Sequence, residues 1–344
     1  MRPLVARLSR AALQHNFAKF PADSWAVVKA NAYGFGALEV ARSLPQAAGF
    51  AVACLEEAIA LREGGVAQPI VLLEGVFEPE EWMEVGAYQL DAVIHRPDQL
   101  DALFDLRPRH WAGLWLKIDT GMHRLGMSEP QAMACVERMA SLQLQRRVWM
   151  AHFACADDLS RALPLTRPPV GYALSLNNSA AGLVRSEVPA NWTRAGIAMF
   201  GASSVSGMSA QQLDLQVVCS LESKVVAIRE VPRGEAVGYG GRWIASRNSR
   251  IATLPGGYAD GYMRAMPDGA PVAFNGAIAP LAGRVSMDRI TVDVTDLPQV
   301  QVGQVAELWG HHVAIDALAD KAGTIAYELF CNLAPRVPRI WSDT

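Results

Sequence analysis

Ala26-Val-Val-Lys-Ala-Asn-Ala-Tyr-Gly-Phe-Gly36 is the stretch on which the reading of this chain turns. Trp25 to Val28 is an apolar, strand-like run that ends at Lys29, and Gly34 and Gly36 after Tyr33 signal a turn at the strand's exit. A lysine so placed suits covalent work, because a desolvated amine loses its proton more easily and can form a Schiff base with an aldehyde cofactor. An unselected lysine in an apolar run more often snorkels from a strand end. Its surroundings in the rest of the chain therefore have to carry the chemical reading.

Outward from this stretch, short apolar runs alternate with helix-like segments from residue 4 to about residue 200. Strands are predicted at Trp25–Val28, Gly49–Val52, Ile70–Leu73, Ala92–Ile94, Gly113–Ile118, Arg147–His152, Ala173–Leu176 and Gly196–Phe200. Helical patterns between them include Leu55–Glu63, Pro97–Phe104 and Pro130–Leu142. Eight such βα units point to a parallel sheet and fit a TIM-like (β/α)8 barrel; an open doubly wound sheet shares the same periodicity. The small, uncharged segment Gly201–Gln212 marks a boundary, giving domains 1–212 and 213–344. Beyond it the pattern is mainly β: Leu221–Ile228, Glu235–Tyr239, the strictly alternating Thr291–Thr295, and Val305–Trp309. The expected fold class is thus α/β, an N-terminal (β/α)8 barrel followed by a C-terminal mainly-β domain.

A chain of 344 residues with 51% hydrophobic and 19% charged residues can bury a large core. Its net charge of -3 argues against nucleic acid or an anionic membrane surface as partner. Five scattered cysteines without a C-x-x-C pair read as reduced thiols in a cytoplasmic protein, with neither a disulfide frame nor a zinc site. No secretory signal or run of 18 uncharged apolar residues is evident. The adjacent acids Asp157 and Asp158 read as solvated loop residues, so no metal is expected.

Five further motifs stand out: Trp115-Leu-Lys-Ile-Asp-Thr-Gly-Met-His-Arg-Leu-Gly126, Met150-Ala-His-Phe153, Asn177-Asn-Ser-Ala180 with Thr193-Arg-Ala-Gly-Ile197, Glu235-Ala-Val-Gly-Tyr-Gly240 with Leu254-Pro-Gly-Gly-Tyr-Ala-Asp-Gly261, and Gly283-Arg-Val-Ser-Met-Asp288. If Leu114, Leu116 and Ile118 face the helices, alternation sends Lys117 and Asp119 into the barrel, and Arg124 follows in the loop at the strand's C-terminal end. In this order, from the Lys29 segment to Arg336-Val-Pro-Arg339, the chain resembles the bacterial alanine racemases, pyridoxal-phosphate enzymes of fold type III. Phe35 departs from the histidine common in that family.

The resemblance implies that Lys29 holds pyridoxal 5′-phosphate and that Lys29 and Tyr239 are the two bases interconverting L- and D-alanine. It implies that Ser179, the backbone amides of Gly196 and Ile197, and the hydroxyls of Tyr33 and Tyr327 receive the phosphate, with Asn178 beside them. Arg194 would face the pyridine nitrogen; a guanidinium has no acceptor and stays charged, which leaves that nitrogen unprotonated and the ring a weaker electron sink. His152 would orient Arg194. Arg124 and the backbone N–H of Met287 would bind the substrate carboxylate, Lys117 would carry a carbamate, and Tyr258, Arg284, Asp288 and Arg339 would line the entrance. Tyr239 would reach the partner's site in a homodimer with shared active sites. A barrel-type decarboxylase, a racemase of another small amino acid such as serine, and a non-catalytic carrier of the cofactor are the alternatives. The Tyr239 motif and the Tyr258/Tyr327 pair count against the first, and the β-rich C-terminal part against the last. Supply of D-alanine for peptidoglycan and catabolism of alanine both stay open. One departure is local: Pro164, Pro168 and Pro169 leave no room for the helix that the family places between His152 and Asn178, a crossover shorter by about three turns.

Overall fold

The computed structural model describes residues 2–108, 112–189 and 192–343, which form two compact units. Val5–Ser9 (β1) opens the chain, and eight parallel strands follow: Trp25–Val27 (β2), Gly49–Val52 (β3), Ile70–Leu72 (β4), Asp91–Ile94 (β5), Gly113–Lys117 (β6), Arg146–Met150 (β7), Ala173–Ser175 (β8) and Arg194–Ala195 (β9). The ladder runs β8-β7-β6-β5-β4-β3-β2-β9. Backbone bonds from Trp192 N–H to Leu174 O (3.0 Å) and from Arg194 N–H to Asn177 O (2.9 Å) join its two ends. This is the α/β barrel expected from the apolar runs, and it comprises residues 14–199 and 203–214.

Strands buried on both faces read as continuous apolar runs, so most of the barrel was predicted to within one or two residues. The exception is the last strand. It lies at Arg194–Ala195, and the apolar Ile197–Phe200 is a 3-10 turn instead. The barrel is plugged where Trp25, Trp115 and Trp192 meet with ring centroids 4.8 to 5.5 Å apart. Asp91, fully buried, accepts the Trp115 indole N–H at 3.0 Å and a fork from Arg146 at 2.8 Å, so the buried charge is paired.

As the prolines imply, no helix lies between β7 and β8. Arg185, only 8% exposed, replaces it as a strap: its guanidinium donates to the carbonyls of Ala156, Asp158 and Arg161. Trp149 Nε1 donates to Thr166 Oγ1, and Thr166 in turn to Glu129. Asp158 spends its carboxylate on Ser160 and Arg161. Arg185→Ala would take its donor from the carbonyls of Ala156 and Arg161 and leave Asp158 O with the Arg161 N–H alone, and urea unfolding is expected to lose about 2 kcal/mol. An unchanged unfolding midpoint would show that the strap carries no stability.

The second unit comprises residues 1–13, 200–202 and 215–344. A single cut at 212/213 therefore misplaces the N-terminus: β1 pairs antiparallel with Cys219–Lys224 (β10) and parallel with Arg339–Ser342. Six strands form this sheet, and Ala227–Val231, Ser249–Pro255 and Arg289–Asp293 form a three-stranded one. The run read as one strand, Leu221–Ile228, is two strands that break at Val225–Val226 and pair in different sheets. Two helices absent from the sequence reading, Ile315–Ala322 and Ala326–Cys331, complete the unit. Among the described residues all five cysteines are free, and no helix is long and apolar enough to cross a membrane.

Candidate active site

Within the barrel, the chemistry-bearing residues sit at the C-terminal ends of the strands, the end at which barrel enzymes place their sites. Lys29, half-buried, follows β2. Ala30, Asn31 and Ala32 each have φ of 53° and Tyr33 has 54°, a left-handed turn of four non-glycine residues. Such backbone costs about 1–2 kcal/mol per residue, so contacts from outside the turn must hold it. The predicted turn at Gly34 and Gly36 is present, but it begins four residues early.

This turn brings Tyr33, itself buried, to Gly196 and Ser179. A Cβ on Gly196 would lie 2.7 Å from the Tyr33 hydroxyl oxygen and 3.5 Å from Ser179 Oγ, so only glycine lets the three meet. Gly196 N–H donates to Ser179 Oγ at 2.8 Å. Asn178, grouped with the cofactor contacts on resemblance, spends its side chain otherwise: it caps the helix Ser179–Val184 by accepting the Ala181 N–H at 3.0 Å.

Arg194 and His152 are joined as expected, Nη2 lying 3.3 Å from His152 Nδ1. Arg194 also donates through Nη1 to Ser175 O (2.8 Å) and Oγ, and through Nη2 to Ala151 O (2.7 Å) and Leu176 O. These bonds occupy both terminal nitrogens and leave Nε. Ser175, which aims the guanidinium, carries no motif and was not picked out from the sequence. Burial lowers Arg194 to about 10, still charged at neutral pH. Burial, then the positive charges of Arg194, Lys117, Arg124 and Lys29, push His152 down to about 2, which makes it a neutral imidazole.

Lys117 is buried at the end of β6, and its amine falls to about 7 through burial and then through Arg194, Arg124 and Lys29. Asp119 does not turn to it. Its carboxylate caps the following loop, accepting the N–H of Gly121 and of His123 and lying 3.0 Å from His123 Nδ1. That loop returns to the strand, Met127 bridging Ile118, and only a glycine fits at Gly126, where a Cβ would sit 2.6 Å from Asp119 N. Arg124 rides on this loop, exposed.

The mainly-β unit gathers a second group of the predicted residues. Tyr258 N–H donates to Ser286 O at 3.1 Å and Ala259 N–H to Met287 O at 3.0 Å, while a Cβ on Gly283 would stand 2.7 Å from Val237 O. The turns carrying Tyr239, Tyr258, Arg284, Met287 and Asp288 are therefore neighbours. Buried Asp260 ties them to the chain's start and end: it pairs with Arg2 and Arg336, and Arg336 also holds Asp288. Ala334 N–H donates to Asp260 O at 3.1 Å, which fixes the chain just beyond the helix bearing Tyr327. Arg339 is spent on structure, donating to the carbonyls of Leu333, Ala334 and Val337. On these neighbouring turns Tyr239 is 72% exposed, Met287 53% and Tyr258 42%.

Two family models match the chain, "Alanine racemase, N-terminal domain" over residues 8–204 and "Alanine racemase, C-terminal domain" over residues 218–341. The chain is similar to the alanine racemase of Stutzerimonas stutzeri strain A1501, 45% identical over 354 residues, with 98% of this chain and 99% of that protein covered. Among solved structures it is similar to the biosynthetic alanine racemase from Pseudomonas aeruginosa, with a TM-score of 0.93 at 42% identity over 99% of this chain and 100% of that one. The alanine racemase from Acinetobacter baumannii gives a TM-score of 0.91 at 33% identity, with 99% and 100% covered. Matched by both family models and by relatives of this identity along nearly its whole length, the chain belongs to the alanine racemase family.

Proposed function

We propose that the chain interconverts L- and D-alanine with pyridoxal 5′-phosphate held on Lys29, and that Lys29 and Tyr239 move the α-proton on opposite faces of the substrate. The observation that carries this reading is the charge at the barrel's C-terminal end: Lys29, Arg124 and Arg194 all bear on Lys117 and His152 there, with Asp119 opposing them at Lys117. So much positive charge calls for anions, and a phosphate and an amino-acid carboxylate supply them. The residues fit the cofactor. Tyr33 and Ser179 meet over a glycine as a phosphate cradle, and Arg194 Nε is left for the ring.

When bound, the cofactor supplies an electron sink that lets the α-hydrogen leave as a proton. Lys29 Nζ takes that proton from D-alanine and Tyr239 Oη takes it from L-alanine. Arg124 and the Met287 N–H hold the carboxylate, and His152, kept neutral, steadies Arg194 without adding charge. Exposed Tyr239, Met287 and Tyr258 support a homodimer in which they face the partner's barrel.

Lys117 is the residue to carry a carbamate. An amine brought down to about 7 is substantially neutral at physiological pH and can add carbon dioxide, forming an N–C bond, releasing one proton and leaving a negative carbamate in place of the neutral amine. With ¹³C-bicarbonate a carbamate resonance is expected in the parent, fading below pH 7 as the amine protonates. Its presence in Lys117→Ala would contradict the assignment.

Arg194 tests the contact proposed for the ring. A glutamate there would face the oxygens of Ser175, Ala151 and Leu176, so Arg194→Lys, which keeps the charge and loses the fork, is the informative change. Racemisation followed by optical rotation is expected to fall about a hundredfold. Full activity would show that charge alone suffices.

A further inference from the structure

The left-handed turn after Lys29 is bonded within itself by Ala32 N–H to Val28 O (2.8 Å), Gly34 N–H to Ala30 O (2.9 Å) and Gly36 N–H to Asn31 O (2.9 Å). Ala30 N–H, next to Lys29, goes elsewhere. It donates to Glu57 Oε1 at 2.6 Å, and Glu57 Oε2 accepts the Ala53 N–H at 2.8 Å. Ala53 follows β3, the parallel neighbour of β2. One carboxylate thus spans the exits of two adjacent barrel strands, one of which carries the lysine.

Glu57 is the third residue of the helix Leu55–Glu63, whose N-cap, Cys54, makes no side-chain cap bond. An acid at that position ordinarily serves its own helix start. Here one oxygen does so and the other is given to the turn. Alanine, asparagine and tyrosine do not hold four consecutive left-handed conformations by themselves, and this bond anchors the turn at its first residue.

We propose that Glu57 is a positioning residue for Lys29: by fixing the Ala30 N–H it holds the left-handed turn and so the direction in which Lys29 Nζ leaves the strand. The proposal rests on the reading in which Lys29 serves one face of the substrate and Tyr239 the other. A misdirected amine impairs transfer on its own face, where a displacement of about 1 Å can cost a hundredfold. The face served by Tyr239 is spared.

Glu57→Gln keeps one acceptor and sets an amide N–H against the second donor; Glu57→Asp is too short to bridge both and serves as a second variant. In the holoenzyme in deuterium oxide, α-hydrogen exchange is measured separately from D- and L-alanine, with Tyr239→Phe and the exposed neighbour Glu56→Gln as references. Exchange from D-alanine is expected to fall about tenfold relative to exchange from L-alanine in both Glu57 variants, and to be unchanged in Glu56→Gln. When pyridoxal phosphate is added back to stripped protein, the visible absorbance is expected to return more slowly in the Glu57 variants. Equal slowing from both enantiomers, with Tyr239→Phe still one-sided, would overturn the proposal and leave Glu57 a helix cap. Unchanged exchange would overturn it as well. If Tyr239→Phe itself slowed both enantiomers equally, the two-base reading beneath the proposal would be the part that fails.

Discussion

Tyr239→Phe is expected to retain the cofactor and lose racemisation by about a thousandfold, the worth of a general acid–base group. The change deletes one oxygen from a side chain that is 72% exposed in the single chain, so stability is expected to be nearly untouched. Two faces of one carbon need two proton carriers, and in the proposed mechanism Lys29 serves one of them. The variant should therefore still exchange the α-hydrogen of D-alanine in deuterium oxide and hardly that of L-alanine. Near-normal racemisation would remove Tyr239 from the mechanism, and equal exchange from both enantiomers would remove the two-sided assignment.

Lys29→Ala has the larger effect. On the proposed assignment it takes away the anchoring amine and one of the two bases together, so racemisation is expected to fall by about 10⁴-fold or more and the visible absorbance of the bound cofactor to vanish. Lys117, the other lysine of the cluster, is buried beneath the positive charges of Arg194 and Arg124 and does not replace it. Borohydride trapping separates the outcomes: the parent should carry its label on Lys29 and the variant none. Label on another lysine of an active variant would show that the anchor was wrongly placed.

The barrel was legible because fully buried parallel strands are apolar without interruption, as at Gly49–Val52, where prediction and structure coincide. The last strand was not, because Arg194 is a charged residue inside a two-residue strand, while the apolar Ile197–Phe200 beside it curls into a 3-10 turn. Hydropathy cannot separate a short buried strand from a short buried turn. The N-terminal strand was assigned to the wrong unit because its partners, Cys219–Lys224 and Arg339–Ser342, lie some two hundred residues or more away in sequence.

In the site, Lys29, Arg194 with His152, Ser179 and Gly196 could be picked out because each sits in a motif, and the structure brings the members of each group together. Ser175 and Glu57 could not, and Asp260 stands inside the Leu254–Gly261 motif without being singled out. Ser175 is a lone hydroxyl in a weak strand, Glu57 looks like any acid in the first turn of a helix, and Asp260 acts through Arg2 and Arg336, far away in sequence. The left-handed Ala30–Tyr33 turn left no signal either, since alanine ordinarily favours right-handed helix.

Mixing subunits tests the shared two-base site most directly. Lys29→Ala and Tyr239→Phe proteins, each inactive alone, are exchanged until mixed dimers are confirmed by mass, and racemisation of L-alanine is followed by optical rotation. If Tyr239 serves the partner's Lys29, each mixed dimer holds one intact site of two, and a statistical mixture should recover about a quarter of the parent's activity. No recovery after confirmed exchange would contradict it, because each site would then draw both bases from a single chain.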